Sequence, residues 1–150
     1  MKPTWVVVAD STRARILLAD NAIGPLREIE TLVHPESRLH EQELTTDLPG
    51  RTFDSGGQGR HAMSQPVDPK HQERIEFAKE LAHHLDDARR RGELRQLIVV
   101  ASPQVLGELR KALPPETARL VTYELDKNLA QMTVDEIRRH LPERLPSLAA

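Results

Sequence analysis

The sequence predicts an α/β domain: a mixed five-stranded sheet with helices packed on its faces and a long loop after the third strand. Three observations lead there. Short aliphatic, β-branched runs recur along the chain, amphipathic helical stripes occur only in its second half, and Pro35 to Pro66 has neither period. With 150 residues, the chain can bury roughly two thirds of its unfolded surface, enough for one self-sufficient core.

The first strand is "TWVVVAD" (4–10), an apolar β-branched run that ends in the polar turn Asp10-Ser11-Thr12. "RARILLAD" (13–20) resumes at once, so the two form a hairpin. "NAIGP" is turn chemistry, and "LREIETLVH" (26–34) follows as a third strand whose alternation is imperfect. The aperiodic stretch comes next; within it only "SRLHEQEL" could hide a short helix. Order restarts at Asp68-Pro69, a capping residue followed by proline at the first helical position. The helix "PKHQERIEFAKELAHHLDDARRR" carries Ile75, Ala78, Leu81, Ala82, Leu85 and Ala88 on one stripe and ends at Gly92.

"QLIVVA" (96–101) is a continuous apolar run, hence a buried central strand. Ser102-Pro103 repeats the cap-and-proline signal for a helix reaching about Leu113, which Pro114-Pro115 stops. "ARLVTYEL" (118–125) is the fifth strand. "TVDE" (133–136) matches a capping box and opens a last helix through about His140. The tail "LPERLPSLAA" holds two prolines and is expected to fray. The reading is therefore one domain over 1–141, a loop over about 35–67, and a frayed tail over 142–150. The order β-β-β-α-β-α-β-α with right-handed crossovers is the ribonuclease H-like arrangement.

Composition removes several classes of function. There are no cysteines, which excludes disulfides, thiolate catalysis and cysteine-ligated zinc. No apolar run is long enough to span a bilayer. The opening run stops at Asp10 without a small-residue cleavage site, so a cytoplasmic location is expected. A net charge of −2, from 21 basic and 23 acidic residues, gives no global attraction for nucleic acid; RNA contact would need a local patch.

Candidate catalytic groups thin out on inspection. A two-metal nuclease of this fold would use Asp10 at the end of the first strand and Glu73, Glu76 or Glu80 from the long helix. The end of the fourth strand reads Val100-Ala101-Ser102, so the oxygen-ligand set is incomplete and Asp10 is read as a turn residue. His83 and His84 are adjacent, about 100° apart on a helix, and cannot chelate one ion together. Glu80 and His84 are four apart and could pair, as on any solvated helix face. His40, His61 and His71 lack partners at metal-ligand spacing, and Ser55 lacks a nucleophile elbow. The arginines of "DARRRGELR" (87–95) suit a helix C-terminus. Neither a metal nor a cofactor is expected.

What remains is "TFDSGGQGRHAMSQP" (52–66), with Gln58 set between Gly56, Gly57 and Gly59. Arg60 and His61 follow, then Lys70, His71 and Arg74, with acids only at Asp68 and Glu73 over that span. "GGQ" between the third strand and the long helix, with "QLIVVASPQVLGELRKAL" after it, resembles the middle domain of eukaryotic and archaeal class-1 translation release factors. Essentially the whole chain resembles a bacterial family described as proteins required for attachment to host cells, grouped with the release-factor-like proteins. "WVVVADSTRARIL", "HPESR" (34–38) and "RTFDSGGQGRHAM" (51–63) carry that second match.

The resemblance implies a ribosome-associated protein acting on peptidyl-tRNA without a cofactor. Gly56 and Gly57 would let the backbone enter a crowded RNA pocket. A backbone N–H around Gln58 would stabilise the oxyanion while its amide positions the water. Arg51, Arg60, His61, Lys70 and Arg74 would meet RNA phosphates. Two departures stand out: Asp54-Ser55 precede the motif where release factors carry basic residues, and Gly59 stands where they carry serine. Codon reading is not expected of one domain, which leaves a codon-independent ribosome-associated or rescue hydrolase, or a domain that keeps the loop for another ligand. The alternative is a non-catalytic binding protein that contributes, directly or not, to attachment.

Overall fold

The computed structural model describes residues 3–34 and 69–148. Its five strands are β1 (Thr4–Ala9), β2 (Arg13–Ala19), β3 (Leu26–Val33), β4 (Leu97–Ala101) and β5 (Val121–Leu125), in the sheet order β3-β2-β1-β4-β5. Its helices are α1 (Pro69–Arg90), α2 (Pro103–Ala112), α3 (Pro115–Ala118) and α4 (Val134–Arg139). β2 is antiparallel to β1 and β3, while β4 is parallel to β1 and β5. This is the mixed five-stranded α/β sheet that the order of elements implied.

β1 lies at the centre, and all six of its residues are buried. A strand covered on both faces needs apolar side chains at consecutive positions, which is what "TWVVVA" supplies. Trp5, Val7 and Ala9 face a core shared with α1 and α2. Val6 and Val8 face a second core closed by α4 and by Leu129, Leu141 and Leu145. The β1–β2 turn is built by Asp10: its Oδ1 accepts the backbone N–H groups of Thr12 (2.8 Å) and Arg13 (2.9 Å) and the Thr12 hydroxyl (2.9 Å). That is an Asx turn, and it is the role read for Asp10 from sequence.

The imperfect alternation of β3 has a definite cause. Ile16 pairs with Glu30 and Leu17 with Glu28, so Ile29 is an extra residue, a β-bulge on the edge strand. The bulge reverses the facing of the strand. Glu28 lies on the α4 side, where it bonds Arg15 (2.7 Å), and Glu30 lies on the α1 side, where it meets His84 (3.1 Å).

α1 buries Ala78, Leu81, Ala82, Leu85 and Ala88 as its stripe predicts, with Phe77 and Asp86 added and Ile75 only half-buried. Gly92 ends it with φ +80°, a left-handed angle that glycine takes without strain. α2 begins after Ser102, whose backbone is extended at the cap position but whose hydroxyl makes no capping bond. The capping box before α4 is complete: Thr133 Oγ1 accepts the Glu136 N–H (3.1 Å), and Glu136 Oε1 accepts the Thr133 N–H (2.9 Å).

Two expectations are corrected. Residues 115–118 form a helical turn, α3, so the fifth strand starts at Val121 rather than at residue 118. Proline stops a helix but also favours the first position of the next one, and Pro115 does the second. The second correction concerns the tail, read as frayed beyond residue 141. As far as Leu148 it is docked: Leu141 and Leu145 are buried, and the Leu145 N–H bonds Ala22 O (2.9 Å). Arg138 donates to the carbonyls of Gly24 (2.9 Å), Pro142 (2.8 Å) and Glu143 (2.8 Å). Gln96 accepts the Leu148 N–H (2.9 Å) and donates to Thr4 Oγ1 (3.0 Å). The prolines remove donors from this segment, and its carbonyls are used instead. Among the described residues no helix is long and apolar enough to cross a membrane.

Candidate functional site

The carboxyl ends of β1, β3 and β4 share one edge of the sheet, because β3 and β4 both run parallel to β1. Ligands of α/β sheets bind at such an edge. Here it presents Asp10, His34 and Ser102, and the His34 N–H is fixed to Thr12 O (3.0 Å). Segment 35–68 leaves this edge after His34 and rejoins at Pro69. His34 meets Phe77 and Glu80, about two to three turns into α1, so the opening turns of α1 extend past the same edge.

Of the residues singled out from sequence, Arg51, Gly56, Gly57, Gln58, Arg60 and His61 lie outside the described residues. Lys70 and Arg74 are described, one turn apart on a common face of α1. Lys70 is exposed and Arg74 half-buried. A terminal Nη of Arg74 lies 3.1 Å from His71 Nδ1, and its Nε is buried without a hydrogen-bond partner among the described residues. His71 Nε2 in turn is 3.9 Å from Glu108 on α2. These contacts set a guanidinium near the start of α1.

Below that edge a groove of about 330 Å³ runs between β3 and α1. Leu32, Val33, Phe77 and Leu81 make it apolar, while Glu80, His83, His84 and Asp87 supply its polar groups. His34 is wholly buried, with Nδ1 3.3 Å from Glu80 Oε2 and its ring 5.5 Å from that of Phe77. His83 pairs with Asp87 (3.3 Å) and His84 with Glu30 (3.1 Å). The sequence-derived pairing of Glu80 with His84 is thus replaced: each takes a partner from β3 or the residue after it. Among the described residues no three histidine or carboxylate groups gather as a metal site.

The arginines at the end of α1 find partners within the chain. Asp86 accepts the Thr117 hydroxyl (2.7 Å) and pairs with Arg89 (3.1 Å) and Arg90 (3.0 Å). The Thr117 bond first, and then the two guanidiniums, hold the Asp86 carboxyl below the usual range against the opposing effect of desolvation. Arg91 pairs with Glu93 (3.2 Å). Sequence reasoning missed His34 and Asp86 as buried polar anchors. Their partners lie 46 and 31 residues away, and no local pattern announces such a contact.

Comparison with known proteins adds the following. An uncharacterized protein of Rickettsia prowazekii (strain Madrid E) is 32% identical over 110 residues, covering 71% of this chain and 67% of its own length. The fold is similar to an archaeal translation termination factor (TM-score 0.42, 13% identity, 92% of this chain). It is also similar to a structure described as an archaeal protein (TM-score 0.43, 10% identity, 92% of this chain). The chain spans only 37% and 36% of those two longer molecules. The model of the family described as "Protein required for attachment to host cells" matches residues 5–141, and the chain belongs to that family.

Proposed function

We propose that this chain is a release-factor-like, ribosome-associated protein whose Gly56-Gly57-Gln58 tip promotes hydrolysis of peptidyl-tRNA without reading a codon. One observation carries the reading. The only Gly-Gly-Gln of the sequence lies in segment 35–68, which follows His34 at the carboxyl edge of the sheet and precedes α1, whose opening turns extend past that edge. Such a segment is attached where a rigid platform can present it to a large partner. Glycines tolerate backbone angles closed to other residues, and a main-chain N–H beside Gln58 can meet an oxyanion without any titratable group. The Gln58 amide would orient the attacking water, and proton transfer would fall to the RNA site. Arg51, Arg60, His61, Lys70 and Arg74 would hold phosphates; Lys70, exposed on the first turn of α1, is the described one most open to such a contact.

The test is peptide release from stalled ribosomes loaded with labelled peptidyl-tRNA, combined with sedimentation at low salt. Wild type is expected to release peptide, and Gly57→Ala and Gln58→Ala to lose about a hundredfold in rate while still sedimenting. A wild-type protein that releases nothing and never sediments with ribosomes ends the proposal. The family description favours a second reading, a non-catalytic binding protein that serves attachment to host cells. Detection of the native protein on the outer surface of intact cells would support it.

A further inference from the structure

We propose that the groove beside Arg138 and Arg139 binds a small aliphatic monocarboxylate. The groove has a volume of about 350 Å³ and is open along one side, within the lower range of small-molecule sites. One wall is the β2–β3 turn at residues 23–25, and the other is formed by residues of 138–143. Every residue lining it is among those described. The turn lies at the amino end of β1, away from the carboxyl edge that segment 35–68 leaves after His34.

Arg138 is the reason to expect an anion. Its guanidinium donates to the carbonyls of Gly24 (2.9 Å), Ala22 (3.4 Å), Pro142 (2.8 Å) and Glu143 (2.8 Å), and to no carboxylate among the described residues. Carbonyl oxygens satisfy N–H groups without cancelling the charge, and a half-buried cation without a counter-ion is costly. The same bonds hold the guanidinium between the two walls, and Nη1 keeps one N–H beyond its bond to Pro142. Arg139 is exposed in the same lining and makes no ion pair among the described residues. Its influence on Glu136 ranks behind the Thr133 bonds that already hold that carboxylate.

The lining sets one carboxylate against these two cations, Glu143, and it pairs with neither of them. A single positive charge is left over, which suits a monoanion better than a phosphate dianion. The planar fork of Arg139 can take a carboxylate through two parallel bonds. The remaining side chains are aliphatic: Ile23, 65% exposed, with Pro25 and Leu141. No aromatic ring lines the groove for a nucleobase to stack on. An acid with a short aliphatic body answers both the charge and the apolar wall.

The probe is hexanoate, titrated into the full chain at constant ionic strength while backbone amide resonances are followed. Neither Gln58 nor peptide release enters the readout. Hexanol, acetate and adenosine monophosphate serve as comparisons. Saturable shifts are expected at Ile23, Gly24, Arg139 and Leu141. Arg139→Gln should weaken binding about tenfold and Ile23→Ser about fivefold, while Glu143→Gln, which removes the opposing charge, should tighten it about threefold. All three positions are exposed, and the unperturbed remainder of each spectrum reports that the variants fold. Acetyl-Leu-Leu with a free carboxylate separates the two sources of such a group: tighter binding than hexanoate assigns a peptide terminus, weaker binding a free acid. Absence of saturable shifts overturns the proposal. So does equal binding of hexanol, acetate or the nucleotide, indifference to Arg139→Gln, or weaker binding by Glu143→Gln.

Discussion

Replacing Leu145 by alanine tests whether the chain's last segment belongs to the core. The side chain is 2% exposed and packs with Ile137 and Leu141 against the inner face of β1 and β4. Removing about three buried methylene equivalents at about 0.8 kcal/mol each gives a loss near 2.5 kcal/mol. A residual cavity would add to that. Partial collapse of the neighbours would offset it, which places the expected destabilisation at about 2–3 kcal/mol, the low end for buried leucine truncations. The backbone bond from Leu145 to Ala22 is untouched, so the effect reports packing alone. Urea denaturation should show a lower midpoint with unchanged slope, and thermal unfolding a midpoint about 5–10 °C lower. Arg144→Ala, at an exposed neighbouring position, should stay within about 0.5 kcal/mol. If Leu145→Ala behaves like Arg144→Ala, the segment is not docked and the second core is smaller than described.

The other predictions concern caps and charge. Thr133→Ala removes one half of the reciprocal cap before α4 and should destabilise by about 1 kcal/mol in urea, with Thr133→Ser retaining most of the stability. The depressed Asp86 carboxyl binds fewer protons in the folded than in the unfolded chain. Its stabilisation is therefore complete above the unfolded value of about 4 and is lost as pH falls through the lower folded value. Thr117→Val deletes the largest cause of that depression. Urea midpoints of wild type and Thr117→Val should differ most at neutral pH and converge below about pH 4; a gap that is constant from pH 7 to pH 3 would count against the assignment.

Much of the architecture could be read from local pattern because local physics decided it. "TWVVVA" announces a strand buried on both faces, Gly92 a left-handed helix end, and "TVDE" a reciprocal cap, and each is present in that form. The misreadings occurred where distant contacts decide. The bulge at Ile29 disturbed the alternation of β3 because Glu28 and Glu30 answer to different layers, Arg15 on one side and His84 on the other. Two prolines made residues 142–148 look loose, but Gln96 and Arg138, both far away in sequence or turned back on the chain, hold them down. Pro114-Pro115 was read only as a stop, although the same ring geometry begins α3. The His34–Glu80 contact had no local trace at all. The Gly-Gly-Gln motif, by contrast, is conspicuous in the sequence itself, and it lies outside the described residues.

The Gln96 clasp also has a practical side. By holding Thr4 and Leu148 to one amide, it gathers both described ends of the chain at a single corner, about 20 Å along β1 from Asp10 and the departure point at His34. An affinity handle or fluorophore fused at either end would therefore sit on the far side of the molecule from the edge under test.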